Sequence, residues 1–219
     1  MISIIIPTKN EPLINELIQE INRWVKKKHE VIVVDKSDVP PKLKMGRLIR
    51  QKSDGLGNAF LEGTEHAKGD TVVLMDGDFS HNPKYIARLL EELEHADVVI
   101  GSRFVKGGKN LDESHRKVVS LVSRKFASAI LGLQIEDSMS GFGAIKREVL
   151  ERIKLNPLGY KILLEIIYKS KKLGYRISEV PIIFQKRREG KTKVGMSLAG
   201  IKEVMRIFVL TIELRFGLR

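Results

Sequence analysis

Short apolar runs alternate with stretches of helical periodicity along the first half of the chain. The runs predict strands, because they are short, rich in branched residues and end at Asp, Pro or Gly. Between them, apolar residues recur at the three- and four-residue spacing of helices. The predicted strands are Ile2–Ile6, Val31–Val34, Leu48–Ile49, Thr71–Met75 and Val98–Ile100, and the predicted helices cover 13–25, 59–67 and 83–93.

This alternation predicts an α/β fold with a largely parallel central sheet and helices on both faces. The pattern changes after about residue 104, where helical spacing runs through 118–131 and a Gly-rich turn at 140–143 precedes a short apolar run. A further helix from Ile162 and a strand at 180–184 follow. A length of 219 residues fits one domain.

The net charge of the chain indicates what kind of partner it binds. The formal net charge is +12, which indicates a polyanionic partner such as nucleic acid, anionic lipid or a phosphorylated small molecule. A lysine-rich surface with no special partner is the alternative. Cysteine is absent, so disulfides and thiolate chemistry are excluded. The chain has neither a basic leader nor an apolar run of about 18 residues, so we expect a soluble or membrane-peripheral protein.

Two carboxylates stand out at the end of the predicted strand 71–75. Asp76 and Asp78 are alternate residues, and in an extended segment they point to the same side. Close carboxylates repel unless a cation joins them, and such oxygens suit Mg²⁺ or Mn²⁺ shared with substrate phosphates. Asp35 ends another strand, and open parallel sheets bind ligands beyond such ends. The alternative is that Asp76 caps the helix near Pro83 and Asp78 forms an Asx-turn.

Four weaker features each leave two interpretations open. The Gly-rich segment 55–59 opens a helix and either approaches a phosphate or forms a plain turn. His81 is either a surface or capping residue, which is the interpretation we favour, or a contact to the diphosphate. The basic segment 185–195 is either a lid over the ligands or a solvated turn. Apolar positions at helical spacing in 198–214 predict either an interfacial amphipathic helix or one packed on the core.

Seven segments occur in the order seen in a known enzyme family. The chain resembles the polyprenyl-phosphate glycosyltransferases of the dolichol-phosphate mannose synthase type, which are inverting family 2 enzymes of the GT-A fold. The resemblance covers nearly the whole chain. The segments are IIIPTKNE (4–11), VIVVDKSD (31–38), GLGNA (55–59), MDGDFSH (75–81), GSRFVKGG (101–108), SGFGAIKREVL (140–150) and EVPIIFQKRREGKTK (179–193).

The resemblance implies transfer of mannose from GDP-mannose to dolichyl or polyprenyl phosphate, with inversion and with Mg²⁺ or Mn²⁺. The implied partners are a nucleotide sugar, the lipid phosphate and the cytoplasmic face of a membrane, with no nucleic acid. A phosphate monoester is largely ionised at pH 7, so this acceptor needs no general base.

The family's site residues carry over to this chain in three groups, again as the resemblance implies. In the metal group, Asp78 is expected to be the more direct ligand, and Ser80 to bind weakly or through water. The nucleotide group is Pro7, Asn10, Glu11 and Asp35; the metal group is Asp76, Asp78 and Ser80; the acceptor-phosphate group is Arg103, Arg187 and Lys193.

One position departs from the family pattern. The resemblance assigns Asp35 to recognition of the base, but the second carboxylate of the usual Asp-Asp pair is replaced by Lys36. This departure keeps open a UDP-glucose or UDP-GlcNAc donor and a saccharide acceptor.

Two other classes are less consistent with the sequence. A nucleotidyltransferase acting on sugar phosphates would carry a Gly-rich loop after the first strand. Residues 7–11 of this chain, PTKNE, contain no glycine. A basic nucleic-acid-binding domain would place aromatic residues among its basic stretches, and few are found there. We therefore expect one GT-A catalytic domain over 1–219, with a nucleotide-sugar half (1–104), an acceptor half (105–184) and a basic lid followed by an amphipathic helix (185–219).

Overall fold

The structure is a computed structural model that describes residues 1–112, 114–188 and 198–218. Its strands are β1 (Ile2–Thr8), β2 (His29–Asp35), β3 (Arg47–Arg50), β4 (Thr71–Leu74), β5 (Val98–Ser102), β6 (Lys109–Asn110), β7 (Gly143–Lys146), β8 (Ile177–Pro181) and β9 (Ile183–Phe184). Its helices are α1 (Ile14–Trp24), α2 (Leu56–His66), α3 (Ile86–Glu92), α4 (Ser114–Leu131), α5 (Arg147–Arg152), α6 (Ile162–Lys172) and α7 (Leu198–Phe216).

The predicted α/β architecture is confirmed. Seven strands form one sheet in the order β3-β2-β1-β4-β7-β5-β8, and β6 pairs with β9 in a small second sheet. Pairing in the large sheet is parallel except around β7, which runs antiparallel between β4 and β5. Because β7 comes from the second half of the chain, the two halves share one sheet and one fold.

The core lies on both faces of this sheet. Alternate residues of a strand point to opposite faces, so Ile4 and Ile6 pack with α1 and α3, whereas Ile5 packs with α2 and α6. These side chains are fully buried. The near-continuous apolar strands are therefore explained by a sheet that is covered on both sides.

Some predicted boundaries are wrong for local reasons. The helix predicted from Pro83 begins as a 3-10 turn, and Asn82 caps it by accepting from the Lys84 N–H at 3.0 Å. Gly101 does not end β5, which continues to Ser102. The Gly101 N–H donates to the Phe142 carbonyl, and a side chain there would lie 2.7 Å from the Phe142 ring.

The last helix packs on the core and also exposes apolar residues. Leu210 and Leu214 of α7 are buried, and the Phe208 ring packs against the Phe126 ring of α4 at an interplanar angle of 52°, with centroids 4.4 Å apart. On the other side of α7, Ile201 and Met205 are exposed. No helix in the described ranges is long and apolar enough to cross a membrane.

Candidate active site

Strand register brings three chain segments to one edge of the sheet. In β1, Thr8 lies opposite Asp35 of β2, and Ile5 lies opposite Leu74 of β4. The segments that follow β1, β2 and β4 therefore leave the sheet at the same edge. A cavity of about 730 Å³ opens there, and Glu11 is among the residues that line it.

Asp76 and Asp78 lie in this cavity wall, on a segment that bends away from the sheet. Asp78 accepts from the Ser80 N–H at 3.0 Å and from the Ser80 hydroxyl, so the Asx-turn forms and the carboxylate still lines the cavity. Phe79 adopts a left-handed conformation with φ of 63° to make this turn.

Two carboxylates so close together favour a cation. The enclosed position of Asp76, and after it the charge of Asp78, raise the pKa of the Asp76 carboxyl well above its usual range. Among the described residues no group of three or more His, Asp or Glu side chains forms a ready-made metal cage. The pair therefore fits a divalent ion that takes its other ligands from substrate phosphates.

Arg187 pairs with one of these carboxylates, Asp78, and with Glu11. Its guanidinium donates to the Glu11 carboxylate, and its Nη1 lies 3.6 Å from Asp78 Oδ2. The Arg187 and Glu11 side chains are largely buried. The structure thus brings together three residues of the predicted site, two of which are 176 positions apart.

His81 is not a surface or capping residue, and that interpretation is wrong. The ring is 2% exposed, stacks on Phe142 with centroids 5.1 Å apart and meets Phe184 edge-on at the same distance. Its Nδ1 lies 3.4 Å from Asp76 Oδ2. Burial lowers the pKa of His81 to about 3, so the imidazole is neutral. His81 therefore lines the cavity as a neutral ring packed beside the metal-candidate carboxylate of Asp76.

Arg103 is held away from the cavity. Its Nε and Nη2 each donate to the Asp137 carboxylate at 2.7 Å, and its backbone N–H donates there at 2.9 Å. The Arg103 side chain is 9% exposed and Asp137 is fully buried. Contact between Arg103 and an acceptor phosphate stays a prediction. It requires the hydrogen bonds from the Arg103 guanidinium to Asp137 to break.

Asp35 is also occupied within the protein. The fully buried carboxylate accepts from the Ser37 N–H, from the Ser37 hydroxyl at 2.6 Å and from Arg50 Nη1 at 3.1 Å. The Asn10 N–H binds the same Ser37 hydroxyl oxygen at 2.6 Å. Asp35 thus fixes the loops beside the cavity, while Pro7 lines the cavity itself.

Lys161 is a site residue that sequence reasoning missed. It immediately precedes α6, lines the cavity and donates from Nζ to the Met139 carbonyl at 2.7 Å. Among the cations that lower the pKa of Asp76, Lys161 has the largest effect. Nothing in the hydrophobic pattern marks a lysine before a helix as functional. The predicted Lys193, with the rest of 189–197, lies outside the described residues.

Part of the cavity wall is apolar. Side chains from α4, α7 and the segment before α6 form this part of the wall, together with the polar side chains of Ser120, Ser123, Glu203 and Arg206. Its apolar lining includes Val119, Met139, Leu158, Ile201 and Met205.

Comparisons with known proteins identify the family of the chain. The family model "Glycosyl transferase family 2" matches residues 3–154. A dolichol-phosphate mannosyltransferase of Pyrococcus furiosus is 36% identical, covering 88% of this chain and 59% of the relative. An undecaprenyl-phosphate mannosyltransferase of Micrococcus luteus is 37% identical, covering 70% of this chain and 66% of the relative. The chain thus spans about six-tenths of the length of these relatives.

A solved structure shows the same fold over 99% of the chain. Glucosyl-3-phosphoglycerate synthase from Mycobacterium tuberculosis, in complex with Mn²⁺, UDP and phosphoglyceric acid, superposes with a TM-score of 0.72 at 21% identity and with 78% of its own chain covered. The fold is that of the GT-A glycosyltransferases. The chain belongs to glycosyl transferase family 2.

The Asp35 network predicts a specific pattern of stability. Arg50→Met should lower the free energy of unfolding by about 1–3 kcal/mol, because it leaves a buried carboxylate without its cation. Adding Asp35→Asn should recover part of this loss, measured as a coupling energy from urea unfolding of all four forms.

Arg47 on the same strand is exposed and provides the matched control. Arg47→Met should change the free energy of unfolding by less than about 0.5 kcal/mol. Equal effects of the two arginine substitutions would show that Asp35 does not depend on Arg50.

Proposed function

We propose that this protein transfers mannose from GDP-mannose to dolichyl or polyprenyl phosphate, with inversion at the sugar. The observation that carries the proposal is the cavity, whose wall combines a group of carboxylates and cations with apolar side chains of α4 and α7. A sugar nucleotide needs the first environment and a lipid phosphate needs both. The two relatives described above are lipid-phosphate mannosyltransferases by name, which supports a mannose donor and a lipid phosphate acceptor.

In this proposal three successive segments of the chain have different roles. Residues 1–104 bind the nucleotide sugar, 105–184 bind the acceptor, and 185–219 supply the basic lid and the amphipathic helix. On the donor side, Pro7, Asn10 and Glu11 meet the nucleotide, and Asp35 orders the loops around it.

Asp76 and Asp78 would hold a divalent cation, Mg²⁺ or Mn²⁺, with Ser80 orienting Asp78 through its hydroxyl. When bound, the ion neutralises the charge that develops on the leaving diphosphate. A fold relative crystallised with Mn²⁺ and UDP supports this choice of metal class. In the absence of such an ion, Arg187 provides the positive charge beside Asp78.

The acceptor phosphate would be held by cations that already face the cavity. Lys161 and Arg187 are two of these cations. Lys193 would join them when the lid closes, and Arg103 would join them when its pairing with Asp137 opens. Guanidinium and ammonium groups favour the ionised phosphate and hold it against the sugar. An ionised phosphate oxygen attacks without losing a proton, so no base is needed.

The exposed apolar stripe supports docking on the cytoplasmic face of a membrane. Val118 and Val122 of α4 are exposed, as are Ile201, Met205 and Val209 of α7. Basic residues flank the stripe and would meet anionic headgroups. Because side chains of the same two helices line the cavity, a lipid chain could pass from the bilayer to the site.

The direct test is transfer of label from a panel of nucleotide sugars to a short polyprenyl phosphate, with Mg²⁺, Mn²⁺ or EDTA. We expect product from GDP-mannose that disappears with EDTA. Asp78→Asn should lower turnover by about two orders of magnitude, because it removes a charge from the metal pair. The exposed Asp38→Asn is the control and should retain wild-type activity. Product only from a UDP-sugar would overturn the donor assignment.

The proposed role of Lys161 predicts that its replacement impairs binding of the acceptor but not of the donor. Lys161→Met should raise the KM for polyprenyl phosphate about tenfold, because a charged hydrogen bond to the phosphate is lost. The KM for the sugar nucleotide should stay within twofold of wild type. Lys154→Met, at an exposed position before α6, is the matched control. If only donor binding weakens, Lys161 belongs to the diphosphate rather than to the acceptor.

The docking surface predicts flotation with vesicles that contain anionic lipid, reduced at high salt. Replacing Val122 and Met205 together by Asp should abolish flotation, because both exposed side chains would carry charge into the apolar layer. Val39→Asp, at an exposed apolar position outside α4 and α7, is the control and should float normally. Wild-type protein that stays at the bottom at low salt would rule out this surface.

A further inference from the structure

A base bound in the cavity could not easily use Asp35. That carboxylate is fully buried, accepts hydrogen bonds from Ser37 and Arg50, and is absent from the cavity wall in the described part of the chain. A ligand would have to break this internal network and leave the Arg50 cation unpaired. Recognition of the base therefore falls to the residues that do line this end.

Lys36 and Asp54 line the cavity beside the loops that follow β1 and β2. The Lys36 ammonium donates to the carbonyls of Lys52 and Ser53 at 3.1 and 2.9 Å, and it lies 3.2 Å from Asp54 Oδ1. Two of its three hydrogens are thus fixed by the backbone, and the third points towards Asp54. The Lys36 side chain is 34% exposed and that of Asp54 is 96% exposed.

We propose that Lys36 and Asp54 together recognise the guanine edge of the sugar nucleotide, a step that rests on the proposed function. Guanine presents in a row one acceptor, O6, and two donors, N1–H and N2–H. Lys36 can only donate and Asp54 can only accept. Lys36 therefore binds O6, while the two Asp54 oxygens bind N1–H and N2–H.

The same pair rejects other bases. Uracil presents O4, N3–H and O2, so the second Asp54 oxygen would face the lone pairs of O2. Adenine presents an amino group where Lys36 needs an acceptor. A charged group left facing a like partner costs affinity, so the pair discriminates by repulsion as well as attraction. The exposed Lys36–Asp54 ion pair is weak and yields readily to the base.

Calorimetric titration of GDP, IDP and UDP with Mn²⁺ tests this assignment without any acceptor. IDP keeps O6 and N1–H but lacks the N2 amine. Wild-type protein should bind GDP about tenfold more tightly than IDP, and UDP more weakly than either. Asp54→Ala should make GDP and IDP bind alike. Lys36→Met should weaken both without changing their ratio.

Lys52→Met removes a charge from the same loop at an exposed side chain and should leave all three affinities unchanged. The proposal is overturned if Asp54→Ala keeps the GDP to IDP ratio, or if UDP binds wild type as tightly as GDP. Failure of transfer to polyprenyl phosphate, with the expected ratios intact, would overturn the acceptor and leave the base assignment standing. Binding of no nucleotide at all would overturn both.

Discussion

The parallel pairing of β1 with both β2 and β4 is the constraint on which the site depends. Register places Thr8 opposite Asp35, and the same strand fixes where β4 ends. A slip of one residue would exchange the side chains that pack on the two faces, so the distinct packing of Ile4 and Ile6 on one face and of Ile5 on the other holds this register. The loop after β1, the loop after β2 and the Asp76–Asp78 turn therefore meet beyond the carboxyl ends of these strands, where the Asn10 N–H donates to the Ser37 hydroxyl oxygen.

Charge pairing is the second layer of organisation. Carboxylates at this edge are removed from water, and a buried carboxylate needs a cation. Arg50 forms an ion pair with Asp35, Arg103 with Asp137, and Arg187 with both Glu11 and Asp78. Each of these four carboxylates is thus already paired with an arginine in the ligand-free protein. In the proposed reaction a diphosphate must arrive with its own metal, since it would otherwise draw Arg187 from two carboxylates and leave them unpaired.

The sequence predicts the fold and the location of the site better than the state of its side chains. Strand ends and apolar periodicity are local properties, so the sheet and the position of Asp35, Asp76 and Asp78 could be predicted. Asp35 also looks available in the sequence, yet Arg50 occupies it from a neighbouring strand. His81 looks polar, but Phe142 and Phe184 enclose it from distant segments. Such partners are set by tertiary packing and leave no local pattern.

The mixed lining of the cavity explains how this protein could join substrates of opposite character. Lys161 immediately precedes α6 and lines the cavity together with the carboxylates and the apolar side chains of α4 and α7. A lipid phosphate bound in the cavity would lie among these groups. Cations lower the pKa of a nearby phosphate, so contact with Lys161 and Arg187 would keep the acceptor ionised as it leaves water. Under the proposed function, the group that steers the acceptor is therefore also the group that keeps it nucleophilic.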